Sequence, residues 1–146
     1  MIQKTTEIAA GELSRHMREH SAMMPPMSAL PRVLDGIAAA CALSHGLAAT
    51  AGWWSDPHTG EPVARNDGEI IALIHSELSE ALEGIRKNSQ DDHLPHRKSV
   101  EVELADALVR IFDYAGARKL DLAGAMIEKM AYNAKRSDHR LESRAA

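Results

Sequence analysis

Four carboxylates occur as two pairs with matching spacing. Glu77 and Glu80 stand three residues apart, and Glu103 and Asp106 repeat that spacing farther along the chain. Residues three apart lie on one face of a helix, so each pair points two carboxylates in a common direction. Carboxylates that meet repel one another unless a cation neutralises them, and hard oxygen ligands suit Mg²⁺ or Mn²⁺. The pairs therefore predict a metal site, the alternative being that they are solvated helix faces.

The surroundings of the second pair favour the metal site. Residues 100–112 are apolar around most of the helix that they predict. Its polar residues beyond the first turn, which share an arc of about 80° at the helical spacing, are Glu103, Asp106, Arg110 and Asp113. We expect such a helix to be buried on most sides, with this stripe facing a partner helix. Antiparallel pairing with the helix of Glu77 would let the two carboxylate pairs face each other.

A second polar set lies near the end of the chain. Lys129, Asn133 and Arg136 have the spacing i, i+4 and i+7, so they share one helix face. Cations beside a bound Mg²⁺ would bind polyphosphate oxygens and stabilise the charge of a departing pyrophosphate. The alternative is a solvated basic helix end that complements the helix dipole.

Five helices must position these groups. The hydrophobic periodicity and the breaking residues predict helices over residues 5–21, 31–50, 66–87, 95 or 99–115, and 121–136. Asn66 and Asp121 are expected N-caps, and Gly116 is expected to stop the fourth helix. The third helix carries an apolar stripe about 120° wide that should face the core: Ile70, Ile71, Ile74, Leu78, Ala81, Leu82 and Ile85.

Composition agrees with a helical protein. The chain has 146 residues, aromatic residues make up only 3%, and Ala, Leu and Met dominate the apolar set, which favours helix over strand. This length predicts a single domain over residues 1–146. A net charge of -4 argues against binding to a nucleic-acid backbone. The lone Cys41 excludes an intramolecular disulfide and is expected to be a small core residue.

One uncharged stretch raises the question of a membrane. Residues 36–55 contain no Asp, Glu, Lys or Arg and are long enough to cross a bilayer. Because Ala and Gly predominate there, we interpret the stretch as a buried helix that neighbours can approach closely, and expect no membrane partner. The first twenty residues lack the apolar centre of a signal peptide, so a cytoplasmic location is expected.

The motifs together resemble a known family. The spacing ExxE at Glu77 and Glu80, followed after residues 81–102 by ExxD at Glu103 and Asp106, is similar to the signature of the MazG-like all-α nucleoside triphosphate pyrophosphohydrolases. The segments ELADALVRIFDYAG and DLAGAMIEKMAYNAKR also resemble that family's third and fourth core helices. The resemblance covers residues 66–137, and more loosely the helix from residue 31.

This resemblance implies an all-α bundle of four to five helices that is completed by self-association as a homodimer or homotetramer. It implies Mg²⁺-dependent cleavage of a nucleoside triphosphate to monophosphate and pyrophosphate, with a metal-bound water attacking the α-phosphorus. Glu77, Glu80, Glu103 and Asp106 would hold the metal, and Glu77 or Glu80 would be the catalytic base. Lys129, Asn133 and Arg136 would bind phosphates. Residues 1–30 would be an N-terminal helix and linker, 31–137 the core, and 138–146 a flexible tail.

Base recognition is assigned to His45, Trp53 and Trp54. Aromatic residues are scarce in this chain, and nucleobases stack well on indole rings. The competing interpretation makes the tryptophans a hydrophobic latch between subunits and His45 a hydrogen-bonded core residue.

Two other functions remain open. A phosphoribosyl-ATP pyrophosphohydrolase would share the fold but act on another substrate. A non-catalytic oligomerisation or regulatory module would pair the carboxylates with Arg110, Lys129 and Arg136. A di-iron carboxylate bundle is disfavoured, because it needs Glu-x-x-His motifs and no glutamate here has His three residues later.

Overall fold

The computed structural model describes residues 2–20 and 29–136, and within them the regular structure is entirely helical. The helices are α1 (Ile2–Glu19), α2 (Ala29–Thr50), α3 (Asp67–Lys87), α4 (Ser99–Ala117) and α5 (Leu122–Lys135). This confirms the predicted all-α class and all five helices. The predicted linker as far as residue 28 and the predicted tail at 138–146 lie outside the described residues. Residues 29 and 30, also predicted as linker, instead belong to α2.

Contacts divide the chain into two units, one of Met1–Ala39 with Asp121–Ala146 and one of Ala40–Leu120. The first unit is held by an apolar core between α1 and α5. The buried residues of that core are Ala9, Leu13, Met17, Leu30, Ile127 and Ala131. Ala9, Leu13 and Met17 recur every fourth residue and so form one stripe of α1. Ile127 is 0% exposed and is the largest fully buried side chain among the described residues.

Polar contacts beside this core fix the direction of α5. The Thr6 hydroxyl donates to Glu128 Oε1 at 2.7 Å, and Lys135 forms an ion pair with Glu12. Residue numbers rise together on both helices, so α1 and α5 run parallel. The predicted cap of α5 is confirmed, because Asp121 Oδ1 accepts from the Gly124 N–H at 2.9 Å.

The second unit is built on a pairing of α3 with α4. Arg118 binds Asp67 near one end of the pair, and Gly84 meets Ser99 at the other, so the two helices run antiparallel. This is the arrangement that facing carboxylate pairs require. The Asn66 cap is also confirmed, since its Oδ1 accepts from the Glu69 N–H at 3.2 Å. A side chain could not replace Gly84 without a shift, because its Cβ would lie 2.8 Å from the Ser99 hydroxyl.

The predicted core-facing stripe of α3 is wrong in part. The buried residues of this helix are Ile70, Ile74, Glu77, Ala81 and Gly84. The other members of the predicted stripe are substantially exposed: Ile71, Leu78, Leu82 and Ile85. The buried face is therefore rotated by about 60° at the helical spacing. Isoleucines form one end of this face, and Ala81 and Gly84 form the other, where their small size lets α4 approach closely. A charged residue, Glu77, takes the central position.

Helix α4 also differs from the expectation. It was expected to be buried on most sides, but only Ala107 and Ala115 are buried, and Leu104, Leu108 and Val109 are about half exposed. Gly116 does not stop the helix, which continues to Ala117. A Cβ at Gly116 would lie 2.6 Å from His45 Cβ, so this glycine instead allows α2 to approach α4 closely.

Helix α2 is the third correction, because it is not a buried helix. Its 18-residue apolar window has a mean hydropathy of 1.4, yet only 6% of that window is buried. By length and composition alone, α2 is the one helix among the described residues that could cross a membrane. Cys41 is buried on it, as expected, and burial raises the pKa of its thiol.

Candidate metal centre

Three of the four predicted metal ligands converge where α3 faces α4. Glu77, Glu80 and Glu103 each offer a carboxylate oxygen, and these three oxygens all lie within 4.8 Å of one another. The first two come from successive turns of α3, and the third comes from the facing turn of α4. The fourth predicted ligand, Asp106, is exposed one turn farther along α4 and is not among the converging oxygens.

These carboxylates lie close enough for their charges to raise the pKa of Glu103. The pKa of Glu103 is raised from its usual range, first by desolvation and then by the charges of Glu80, Glu77, Asp106 and Asp91. Desolvation and the neighbouring negative charges both disfavour the ionised form of Glu103. A bound cation would offset the repulsion among these carboxylates and so stabilise their ionised forms.

Arg110 supplies part of the counter-charge, a pairing that the sequence predicted only for the non-catalytic module. Its Nε–H donates to Glu77 Oε1 at 2.7 Å, and the side chains are 42% and 8% exposed respectively. The stripe of polar residues on α4 already contained Arg110, but only the antiparallel register of α3 places it opposite Glu77. This contact satisfies one oxygen of a buried carboxylate that would otherwise be costly.

The converging donor set fits Mg²⁺ or Mn²⁺. All three donors are carboxylate oxygens, which hard divalent cations prefer, and no thiol or imidazole joins them among the described residues. Arg110 provides the only guanidinium or ammonium group of the described residues that pairs with any of the three. The cluster therefore keeps an uncompensated negative charge, which suits a divalent ion.

The predicted phosphate ligands belong to the first unit, whereas the carboxylates belong to the second. Lys129 is exposed on α5, with its ammonium 4.8 Å from the centre of the Tyr132 ring. Asn133 Oδ1 is buried and has no hydrogen-bond partner in the described parts of the chain. This oxygen can only accept, so a hydroxyl would satisfy it and a phosphate oxygen would not. Arg136 follows the last residue of α5.

The predicted base-binding residues are held by a network that centres on Asp113. His45 Nδ1 and Trp54 Nε1 each lie 2.9 Å from Asp113 Oδ1 and donate to it. The guanidinium groups of Arg65 and Arg118 lie 5.6 and 5.5 Å from the Trp54 ring centre. These contacts already occupy the polar edge of Trp54 and part of its ring surface.

Trp53 differs from its neighbour. It is 65% exposed, so its ring remains accessible for stacking, whereas Trp54 acts within the network. His45 and Trp54 also meet edge to face, with ring centres 5.5 Å apart. Sequence reasoning paired His45 with the tryptophans but missed the acceptor that joins them. Asp113 was visible as the last polar residue of the α4 stripe.

Comparisons with protein-family models, curated proteins and solved structures find no match to this chain.

Proposed function

We propose that this protein is a Mg²⁺-dependent nucleoside triphosphate pyrophosphohydrolase, which releases a nucleoside monophosphate and pyrophosphate. The observation that supports this most is the convergence of Glu77, Glu80 and Glu103 from two antiparallel helices to within 4.8 Å. The sequence resemblance to the MazG-like enzymes, which rests on the same residues, gives the reaction. Mn²⁺ is a possible substitute for Mg²⁺.

Glu77, Glu80 and Glu103 would hold the metal, with Asp106 adding negative charge nearby. When bound, Mg²⁺ polarises phosphate oxygens and lowers the pKa of a water ligand. Arg110 engages Oε1 of Glu77 and leaves the other oxygen of that carboxylate available. Glu80 is exposed and forms no hydrogen bond or ion pair among the described residues. We therefore assign Glu80 as the base that accepts the proton of the attacking water.

Lys129, Asn133 and Arg136 would bind the phosphates, Asn133 by donating from its side-chain Nδ2 rather than through its buried Oδ1. Trp53 would stack on the base. A cation beside the departing pyrophosphate stabilises the charge that develops on it. His45 and Trp54 would act in base recognition through the Asp113 network, which fixes their orientation. A panel of substrates would determine the preferred base and sugar. Phosphoribosyl-ATP belongs in that panel, because its hydrolysis would identify a phosphoribosyl-ATP pyrophosphohydrolase.

The second candidate is a non-catalytic helical module. The Arg110–Glu77 pair favours it, because one carboxylate of the cluster is already neutralised within the chain. In such a module the carboxylates would serve packing and specificity, and no cation would be needed. Binding of Mn²⁺ separates the two functions, since only the enzyme needs the ion.

The deciding experiment is a panel of standard and modified nucleoside triphosphates followed by ³¹P NMR with Mg²⁺ and then with excess EDTA. We expect at least one substrate to give monophosphate and pyrophosphate, and EDTA to stop the reaction. Glu103→Gln should lower kcat/KM by about 100-fold or more, because it removes a metal ligand. Glu101→Gln, an exposed residue of the same helix, is the matched control and should stay within about twofold.

Two results would contradict the proposal. Release of orthophosphate would exclude attack at the α-phosphorus. Absence of turnover across the panel, together with no Mn²⁺ bound in a titration, would favour the non-catalytic module.

Self-association is part of the proposal, and the exposed apolar face of α3 supports it. This face lies within an arc of about 60° and consists of Ile71, Leu78, Leu82 and Ile85. Contiguous exposed apolar surface of this kind commonly marks an interface. We expect a dimer or tetramer in sedimentation equilibrium and its dissociation by Leu82→Glu. Ser79→Glu, on another face of α3, should leave the assembly unchanged, and a monomeric wild type would contradict this part.

A further inference from the structure

The carboxyl end of α1 brings together a second group of possible metal ligands. His16, Glu19 and His20 each offer one ligand atom, and these atoms all lie within 4.8 Å of one another. The group belongs to the first unit of the chain, whereas the carboxylate cluster belongs to the second. We propose that His16, Glu19 and His20 form a binding site for a borderline transition-metal cation of the Zn²⁺ class.

The spacing of the three residues favours chelation. His16 and His20 stand four residues apart, so their side chains project from neighbouring turns, and Glu19 lies three residues after His16. The two imidazole rings already approach, with centres 4.3 Å apart. Tetrahedral Zn²⁺ holds its nitrogen ligands about 2.0–2.1 Å away, so the donor atoms must move closer together. The side chain of Glu19 is exposed and can turn toward the two rings.

One hydrogen bond prepares His20 to act as a ligand. Its Nδ1 lies 3.0 Å from the backbone carbonyl oxygen of His16, and a carbonyl oxygen can only accept. Nδ1 therefore carries the proton, and in the neutral ring Nε2 presents its lone pair. This is the arrangement in which metal-binding histidines are commonly held, with the second ring nitrogen donating to a carbonyl or carboxylate.

The core beside the site holds its backbone in place. Met17 is buried between the two histidines in sequence, and Leu13 is buried one turn earlier on the same helix. This part of α1 therefore packs against the apolar core of the first unit, and that packing holds the helix that carries His16 and Glu19. A pair of imidazoles with one carboxylate also leaves a coordination position for water, as in zinc sites with three protein ligands.

The chemistry of this site differs from that of the carboxylate cluster. Imidazole nitrogen suits Zn²⁺, Cu²⁺ and Ni²⁺, whereas an all-carboxylate set suits Mg²⁺ and Mn²⁺. The two sites should therefore be distinguishable by competition, and the proposal for α1 is independent of the proposed enzymatic function. Millimolar Mg²⁺ should fill the carboxylate cluster without displacing Zn²⁺ from α1.

The test is isothermal titration of the tag-free full chain with Zn²⁺ in the presence of excess Mg²⁺. We expect His20→Gln and His16→Gln each to weaken Zn²⁺ binding by about tenfold or more, because each removes a ligand. His75→Gln, which changes an exposed histidine of α3, is the matched control and should bind as the wild type does. Equal affinity of the wild type and both α1 variants would overturn the proposal.

Two spectroscopic measurements make the test independent of affinity. Electron paramagnetic resonance of bound Cu²⁺ should show coupling to two nitrogens in the wild type and to one in His20→Gln. Long-range ¹H–¹⁵N spectra should show His20 protonated at Nδ1 and shifted at Nε2 when Zn²⁺ is added. A spectrum in which Zn²⁺ leaves the His16 and His20 resonances unchanged would also overturn the proposal.

Discussion

The α1–α5 pair and the α3–α4 pair differ in whether a charged side chain is buried at their contact surface. Between α1 and α5, apolar side chains meet, and Ile127 is completely buried. Between α3 and α4, the buried face of α3 has Glu77 at its centre, with Arg110 opposite, isoleucines on one side and small residues on the other. An ion pair in such a position generally adds less stability than well-packed apolar side chains would. The first pair is therefore organised for stability, and the second holds charged groups at the expense of apolar burial.

This comparison predicts the largest loss of stability in the apolar pair. Ile127→Ala should lower the free energy of unfolding by about 2–5 kcal/mol, because it leaves a cavity in a fully buried position. Urea denaturation followed by circular dichroism measures this loss. Met130→Ala, at an exposed position of the same helix, is the control and should change stability by less than about 1 kcal/mol. Equal effects of the two substitutions would remove the distinction between the pairs.

A smaller effect is expected in the charged pair, and it should depend on metal. Arg110→Met keeps much of the side-chain length but leaves Glu77 buried without its partner. We expect a loss of about 1–3 kcal/mol, kept modest because Arg110 is partly exposed. Saturating Mn²⁺ should raise the melting temperature of Arg110→Met more than that of the wild type, because the cation replaces the missing positive charge.

The control for Arg110→Met is Arg97→Met, which removes an exposed pair with Glu101. It should change stability by no more than about 0.5 kcal/mol and leave the response to Mn²⁺ unaltered. If Mn²⁺ raised the melting temperatures of Arg110→Met and the wild type by the same amount, Arg110 and the cation would not share Glu77 as a partner.

The smallest effect is a pH dependence of stability in the charged pair, which arises from Glu103. Because the folded-state pKa of Glu103 is raised, the folded protein binds this proton more readily than the unfolded chain does. As pH falls from neutrality toward the ordinary glutamate pKa of about 4.3, Glu103 should therefore contribute increasing stability in metal-free protein. Glu103→Gln should remove this contribution, which the difference between the two stability–pH curves measures. Parallel stability–pH curves of the wild type and Glu103→Gln would contradict the assignment of this pH dependence to Glu103.

The features that the sequence predicted correctly depend on local chemistry. The Asn66 and Asp121 caps were found because a cap bonds to an amide three residues later. Convergence of Glu77, Glu80 and Glu103 was expected because helical spacing and an antiparallel pairing suffice to define it.

The errors arose where a distant partner decides the outcome. The pattern of apolar residues predicted the wrong face of α3 as the core-facing one. The correct face includes Glu77, whose burial depends on its ion pair with Arg110 on another helix. Gly116 has the residue type of a helix stop, but its role is set by His45 and the backbone of α2. The link from His45 and Trp54 to Asp113 was missed for the same reason.

The parallel arrangement of α1 and α5 has a consequence for the order of folding. Thr6 and Glu128 are hydrogen-bonded although 122 positions separate them in the sequence. In contrast, α3 and α4 are joined by a short connection. Closing a long loop costs more chain entropy than closing a short one, and distant contacts slow folding. We therefore expect the α3–α4 hairpin to form early and the apolar core of the first unit to close last. Until that moment the stripe of Ala9, Leu13 and Met17 stays uncovered, so the nascent chain is most prone to aggregate through α1.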